Sequence, residues 1–424
     1  MIYYQVGSET TELSAEDIKN AVFTAMDKLG ERKKVLAIPP DITRLHSGAG
    51  TITQYLYEYF QSNLTDIMPA LGTHVAMSAE EIEKMFGAVP QRLFRVHDWR
   101  NDVVTVGTIS GELVSEITQG LSETPWPAQL NKLVYHGGHD LILSIGQVVP
   151  HEVIGMANYN KNLFVGTGGT EGINQSHFLG AAYGIENILG RAENPVRDLL
   201  NYASDHFIPN LPVVYIQTVV ARNNQGKLVT RGIFIGDSVD VFTLAADLSL
   251  KVNFILLDKP LKKVIVYLDP SEFRTTWLGN KSVYRTRMAM ADSGHLIVLA
   301  PGLKEFGEDP EIDRLIRKYG YRGTAKTLEA LKNNQDLKDN LSAAAHLIQA
   351  SSEGRFSITY CPGHVTRAEI ESVNYQYADL REMLQKYDPA NLKEGLNIMP
   401  DGEEIYFISN PATGLWAFKG RFDT

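Results

Sequence analysis

The stretch Lys34-Val35-Leu36-Ala37-Ile38-Pro39-Pro40-Asp41-Ile42-Thr43-Arg44 decides the architecture of this chain. Residues 34–38 form a short, almost wholly apolar run, which reads as a buried strand. Two prolines end it, and a carboxylate, a hydroxyl and a guanidinium follow within four residues. Residues 52–60 then read as a helix with Tyr55, Leu56 and Tyr59 on one side. Strand, polar loop and helix make up the repeating unit of an α/β fold. The polar loop falls where open α/β sheets bind their ligands, outside the carboxyl ends of the strands.

The same alternation continues outward. Residues 67–71, 103–109 and 141–149 read as strands. Ser78-Ala79-Glu80-Glu81 is a capping box that starts a helix running through Met85. Residues 213–221 and 228–235 flank Asn223-Asn224-Gln225-Gly226, a hairpin turn. Further strands are expected at 261–268 and 295–300, and helices at 310–319, 324–331 and 337–349. Leu257-Asp258-Lys259-Pro260 interrupts the pattern. We therefore expect two α/β domains, 1–258 and 259–424, with an active-site cleft between them; ligands commonly lie at domain interfaces.

Composition narrows the function. The 424 residues carry 40 Lys+Arg against 50 Asp+Glu, a net charge of −10, which argues against nucleic acid as a partner. The densest basic run, Arg314, Arg317, Lys318, Arg322 and Lys326, is interleaved with Glu311 and Asp313 and reads as a solvated helix face. The single cysteine, Cys361, excludes an internal disulfide and a thiolate metal cluster. No run approaches the length of a membrane span. Met1-Ile2-Tyr3-Tyr4-Gln5 is unlike a signal peptide, so the cytoplasm is the expected location.

Several chemically capable groups follow predicted strands. Arg44 can grip a carboxylate through two parallel hydrogen bonds, and Asp41 can hold a ribose hydroxyl or orient Arg44; the same residues also suit a turn in which Asp41 caps a helix. His74 follows Gly72-Thr73 at a sheet edge and is a candidate substrate-binding residue, although a structural role is also open. His97 precedes Asp98, and another group would have to set its tautomer. His151 follows the 141–149 strand and should project at the same end of the sheet as Asp41 and His74. Two histidines in one cleft can serve as two bases. Lys161 stands before the glycine-rich stretch Gly166-Thr167-Gly168-Gly169, whose backbone N–H groups can cradle phosphate. Beside apolar Leu163 and Phe164 it can act as a nucleophile. His177, at the start of a helix, can ligate a metal, although one histidine is no metal site.

The order Asp41-x-Thr43-Arg44, Gly72-Thr73-His74, His97-Asp98, Pro150-His151, Lys161 and His177 resembles the nickel-dependent lactate racemase family. The spacings of ten residues from His151 to Lys161, and sixteen from there to His177, resemble the family's own. The resemblance covers residues 35–180. It implies a nickel pincer nucleotide tethered to Lys161, with His177 as a nickel ligand. It further implies His97 and His151 as the proton-transferring pair, Arg44 on the substrate carboxylate, and Asp41, Thr43, Gly166, Gly168 and Gly169 beside the nucleotide. The implied reaction is racemisation or epimerisation of a 2-hydroxy acid by reversible hydride transfer. Cofactor-maturation enzymes would be transient partners, and no membrane is involved.

This chain departs from that pattern in places. Asn158, Tyr159 and Asn160 replace small residues before the lysine, and Val75 replaces an arginine after His74. Tyr284, Arg285 and Arg287 match the region that holds substrate in the second domain. The two arginines there point to a longer or more oxygenated acid than lactate, such as a sugar acid. Two other readings stay open: a metal-free Schiff-base lyase or aldolase using Lys161, and an inactive nucleotide-binding paralogue.

Overall fold

This computed structural model describes residues 1–422. The chain divides into two compact units, residues 1–179 with 187–253, and residues 180–186 with 254–422. Both are built on mixed sheets flanked by helices.

The sheet of the first unit has six strands, in the order Ile2–Gly7, Leu228–Gly236, Val213–Arg222, Leu141–Gln147, Val35–Ile38 and Leu64–Ile67. The last four run parallel, and the other pairings are antiparallel. All four residues of Val35–Ile38 are fully buried, as a central parallel strand requires. The helix Ala15–Leu29 follows from its ends: Ser14 and Asp17 form a reciprocal capping box, and Gly30 closes it at φ 75°. Its Ala21, Val22, Ala25 and Met26 recur at helical spacing and join the core with Ile52, Leu56, Leu143 and Ile216.

The second unit has a sheet ordered Gln376–Tyr377, Ser357–Pro362, Met290–Ala300, Leu261–Tyr267, Glu404–Ile408 and Gly395–Ile398. Only the last pairing is antiparallel. The basic run of the sequence lies here. Arg314 pairs with Glu311 and Asp336, Arg317 with Asp313 and Glu369, Lys318 with Asp336, and Lys326 with Glu329.

Most expected elements are present, with three instructive shifts. The strand expected at 67–71 is Leu64–Ile67, and beyond it Met68 N and Ala70 N still donate to the Ala37 and Pro39 carbonyls before the chain reaches Gly72. The strand Val103–Ile109 is real but pairs only with Trp126–Asn131, apart from the main sheet. The helix expected at 337–349 breaks into Gln335–Lys338 and Leu341–Gln349, because Asn340 caps the second piece through Ala343 N. No helix among the described residues is long and apolar enough to cross a membrane.

Candidate active site

A cavity of about 190 Å³ opens in the first unit, and all its lining residues belong to that unit. The loop after Val35–Ile38 contributes Asp41, Thr43 and Arg44, and the turn after Leu64–Ile67 contributes Gly72 and His74. The end of Leu141–Gln147 contributes Gly146 and Gln147. His151, Asn158, Lys161, Gly166 and His177 complete the polar lining. Two of these residues, Gln147 and Asn158, carry no recognisable sequence signal beyond their position beside a strand end and before the lysine.

Hydrogen bonds set the tautomer of each cavity histidine. Asp41 is buried and N-caps the turn Ile42–Ser47, with one carboxylate oxygen receiving Thr43 N and the Thr43 hydroxyl. Its other oxygen lies 2.7 Å from His74 Nδ1. A carboxylate only accepts, so His74 Nδ1 carries the hydrogen and Nε2 keeps its lone pair. Burial pushes the Asp41 carboxyl up, but the bonds from His74 and Thr43 outweigh it and hold the group below the usual range. His177 Nδ1 lies 2.8 Å from the Ile173 carbonyl, so it too donates and leaves Nε2 free. His151 has the opposite arrangement: its Nδ1 accepts the Val153 N–H at 3.2 Å.

Burial also decides the charges. Lys161 is recessed in the cavity, and burial, with Arg44 nearby, lowers its ammonium from 10.5 to about 8. Among the described residues its amine has no hydrogen-bond or ion-pair partner. Burial and then Lys161 bring His177 down to about 4, so the imidazole is neutral at pH 7. Burial, with Lys161, His177 and Arg44 close by, drives His151 well below its ordinary value as well. The exposed Arg44 is the cavity's unpaired guanidinium.

The chain reaches Lys161 through a strained loop. Asn158 and Tyr159 take left-handed φ of 66° and 57°, a conformation that favours glycine or asparagine. Arg197, 1% exposed, straps this loop by donating to the Met156 and Asn158 carbonyls and to Asn160 Oδ1. Tyr159 stacks on Phe242 and meets Tyr215, away from the cavity. Of the three residues that replace small ones before the lysine, only Asn158 lines the cavity. A π-helical turn, Asn162–Gly166, follows the lysine, a local geometry often kept at functional sites.

Other residues singled out in the sequence lie outside this cavity or sit differently from expectation. His97 does not line the cavity and is 2% exposed. Its Nε2 donates to the Gly168 carbonyl at 2.9 Å, and its Nδ1 accepts from Asn131 at 3.1 Å. Both ring nitrogens are occupied, so His97 braces the glycine loop and has no lone pair to offer. Gly168 and Gly169 are packing glycines outside the cavity. An added Cβ would stand 1.8 Å from the Phe164 carbonyl and 2.4 Å from the Gln129 amide, respectively. His177 sits in the middle of the helix Thr170–Tyr183, not at its start.

Tyr284, Arg285 and Arg287 belong to the second unit and are absent from this lining. Arg285 donates to the Ala412 and Gly414 carbonyls. The Arg287 side chain is 3% exposed and is bound to Glu186 at 3.0 Å and to the Gln349 carbonyl at 3.0 Å. Arg287→Ala should therefore lower stability by about 3 kcal/mol, because it removes a buried charge-assisted bond to Glu186 and a bond to the Gln349 carbonyl. Arg355 still holds Glu186, which limits the loss. Denaturant unfolding checks this; unchanged stability with weakened ligand binding would restore the substrate-clamp role.

Comparison with known proteins adds independent weight. The family model described as the lactate racemase N-terminal domain matches residues 9–185. A search of curated proteins finds no match. A structural-genomics crystal structure of a Thermotoga maritima protein is similar at TM-score 0.76 and 25% identity, covering 98% of this chain and 100% of that one. The lactate racemase apoprotein from Thermoanaerobacterium thermosaccharolyticum shares the fold at TM-score 0.70 and 18% identity, over 96% of this chain and 93% of that one. Asp41, Arg44, His74, His151, Lys161 and His177 all lie within the matched residues, so this part of the chain is similar to the lactate racemase N-terminal domain and the whole chain shares the lactate racemase fold.

Proposed function

We propose that this protein is a cytoplasmic racemase or epimerase of a 2-hydroxy acid that works with a lysine-tethered nickel pincer nucleotide. One observation carries the proposal: an unpaired Lys161 amine and a His177 Nε2 lone pair share a cavity with Arg44 and two oriented imidazoles.

The residues present fit the cofactor. Among the described residues, no group of three or more His, Cys, Asp or Glu side chains is placed to hold a metal ion. His177 alone could hold nickel only if the remaining donors came with the cofactor, and soft donors plus imidazole suit Ni(II). Its Nδ1 bond to the Ile173 carbonyl orients the ring, as the outer hydrogen bond of a ligating histidine usually does. Lys161, partly deprotonated near neutrality, is a competent attachment point. When bound, the group supplies the site that accepts and returns a hydride at C2 of the substrate.

The chain's own residues do the rest. Arg44 pairs with the substrate carboxylate and fixes C2 in the cavity. His74 Nε2 takes the hydroxyl proton, and Asp41 stabilises the imidazolium that forms on the far side of the ring. Interconversion presents the substrate oxygen in two orientations, and His151 is the second imidazole available to it. In its present tautomer His151 offers Nε2–H as a donor. To accept at Nε2 it must give that hydrogen to water and take one at Nδ1, which requires releasing Val153, whose 3.2 Å contact is longer than the 2.7 Å bond orienting His74. The apolar wall of Val149, Val165 and Ile173 limits water.

The test uses protein co-produced with the cofactor-making enzymes and nickel, given single enantiomers of several 2-hydroxy acids deuterated at C2. Chiral chromatography should show interconversion, and mass spectrometry should show the deuterium largely retained at C2. Interconversion with complete washout of the label would replace hydride return by proton exchange, and the proposed chemistry would fall.

A further inference from the structure

The cavity wall contains buried polar atoms that have no hydrogen-bond partner among the described residues. Asn158 is 6% exposed and lines the cavity, yet neither its amide oxygen nor its amide nitrogen has a hydrogen-bond partner. Gln147, 9% exposed, also lines it. Its Nε2 donates to the Val220 carbonyl at 3.1 Å, while its Oε1 is unpaired. Each such buried group is costly, at about 1–3 kcal/mol. The backbone is arranged to keep Asn158 there: φ is 66°, Arg197 ties down its carbonyl, and Gly146 leaves room for its amide. A Cβ on Gly146 would come within 3.0 Å of Asn158 Oδ1.

Resting on the function proposed above, we infer that Asn158 and Gln147 form a specificity subsite for a neutral, hydroxyl-bearing tail of the 2-hydroxy acid. The chemistry of the unpaired atoms selects this class. Asn158 offers donors and an acceptor, and Gln147 offers a second acceptor. A hydroxyl both accepts and donates, so vicinal hydroxyls satisfy all of them. An alkyl tail leaves every one unpaired. A second carboxylate satisfies only the amide N–H groups and sets its charge against two carbonyl oxygens. Sites built to hydrogen-bond a hydroxyl reject analogues that lack it far more strongly than apolar pockets reject an added one.

Three four-carbon acids separate these cases: 2-hydroxybutanoate, 2,3,4-trihydroxybutanoate and malate. Their affinities are measured by calorimetry on wild type, Asn158→Gly and Gln147→Leu. Glycine suits the left-handed backbone at position 158, so that variant removes the amide without straining the loop. Wild type should bind the trihydroxy acid about 30-fold or more tighter than either other acid. Asn158→Gly should bring the three affinities within about threefold, and Gln147→Leu should lower the preference partway.

Equal affinities in wild type, tightest binding of malate, no binding of any of the three, or a preference that survives Asn158→Gly would each overturn the subsite. The racemase reading fails separately. If the loaded protein prefers the trihydroxy acid but never interconverts its C2 epimers, the subsite stands and the reaction is wrong. If it interconverts 2-hydroxybutanoate while affinities are equal, the reaction stands and the subsite is wrong.

Discussion

Lys161→Ala should abolish both the covalent cofactor and the reaction. Wild-type protein made with the maturation enzymes and nickel should show a mass increment on the intact chain, and the variant should show none. Turnover should fall by more than about 10⁴-fold, since the group that carries the hydride has lost its anchor. Normal turnover in Lys161→Ala would sink the proposal. The cause lies in the position of the lysine: it is recessed beside His151 and His177, and burial, followed by Arg44, brings its ammonium down to about 8.

The sign of the pH dependence follows. A lowered value means that the reactive neutral amine appears at lower pH than for a solvated lysine. Acylation of Lys161 in the cofactor-free protein should therefore rise through about pH 8 and level off above it. An inflection near the ordinary value of 10.5 would show an amine in contact with bulk water, and the recessed site would be wrong. The same reactive amine is the one feature that favours a Schiff-base enzyme. Borohydride trapping of a carbonyl substrate on nickel-free protein, together with catalysis in that state, would move the assignment there.

The second large effect separates two histidines. His74→Ala should reduce kcat by about 10²- to 10⁴-fold, the usual contribution of a positioned general base. Its side chain is 58% exposed, so the truncation should leave stability nearly unchanged. His97→Ala should do the reverse. It removes the bonds to Gly168 and Asn131 from a buried site and should cost about 2–4 kcal/mol of stability. Its kcat in the folded fraction should stay within about tenfold of wild type. Thermal unfolding and steady-state kinetics on both variants decide it; a collapse of kcat in His97→Ala with intact stability would return the catalytic role to His97.

Much of this protein is local, and local physics is legible in a sequence. The apolar run at residues 34–38, the capping box at Ser78 and the Asn223 turn each follow from backbone and side-chain rules acting within a few residues. The structure has strands at Val35–Ile38 and Val213–Arg222, and a helix at Ala79–Phe86, where those rules place them. The convergence of Asp41, Arg44, His74, His151, Lys161 and His177 was also readable. Groups that follow parallel strands, or the loops beside them, meet at one sheet edge once the fold is α/β.

What the sequence could not decide depends on contacts between distant residues. His97 and His74 look equally capable in the chain. Only the packing of His97 between Gly168 and Asn131, against the pairing of His74 with Asp41, separates a buried, fully bonded ring from the proposed base. Arg287 reads as a substrate clamp until Glu186 and the Gln349 carbonyl enclose it. Asn158 reads only as a larger residue in place of a small one until its left-handed backbone and unpaired amide are seen at the cavity wall. The physical reason is the same in each case: residue type and order set which groups are available. Tertiary packing alone sets which of their lone pairs and hydrogens are already used.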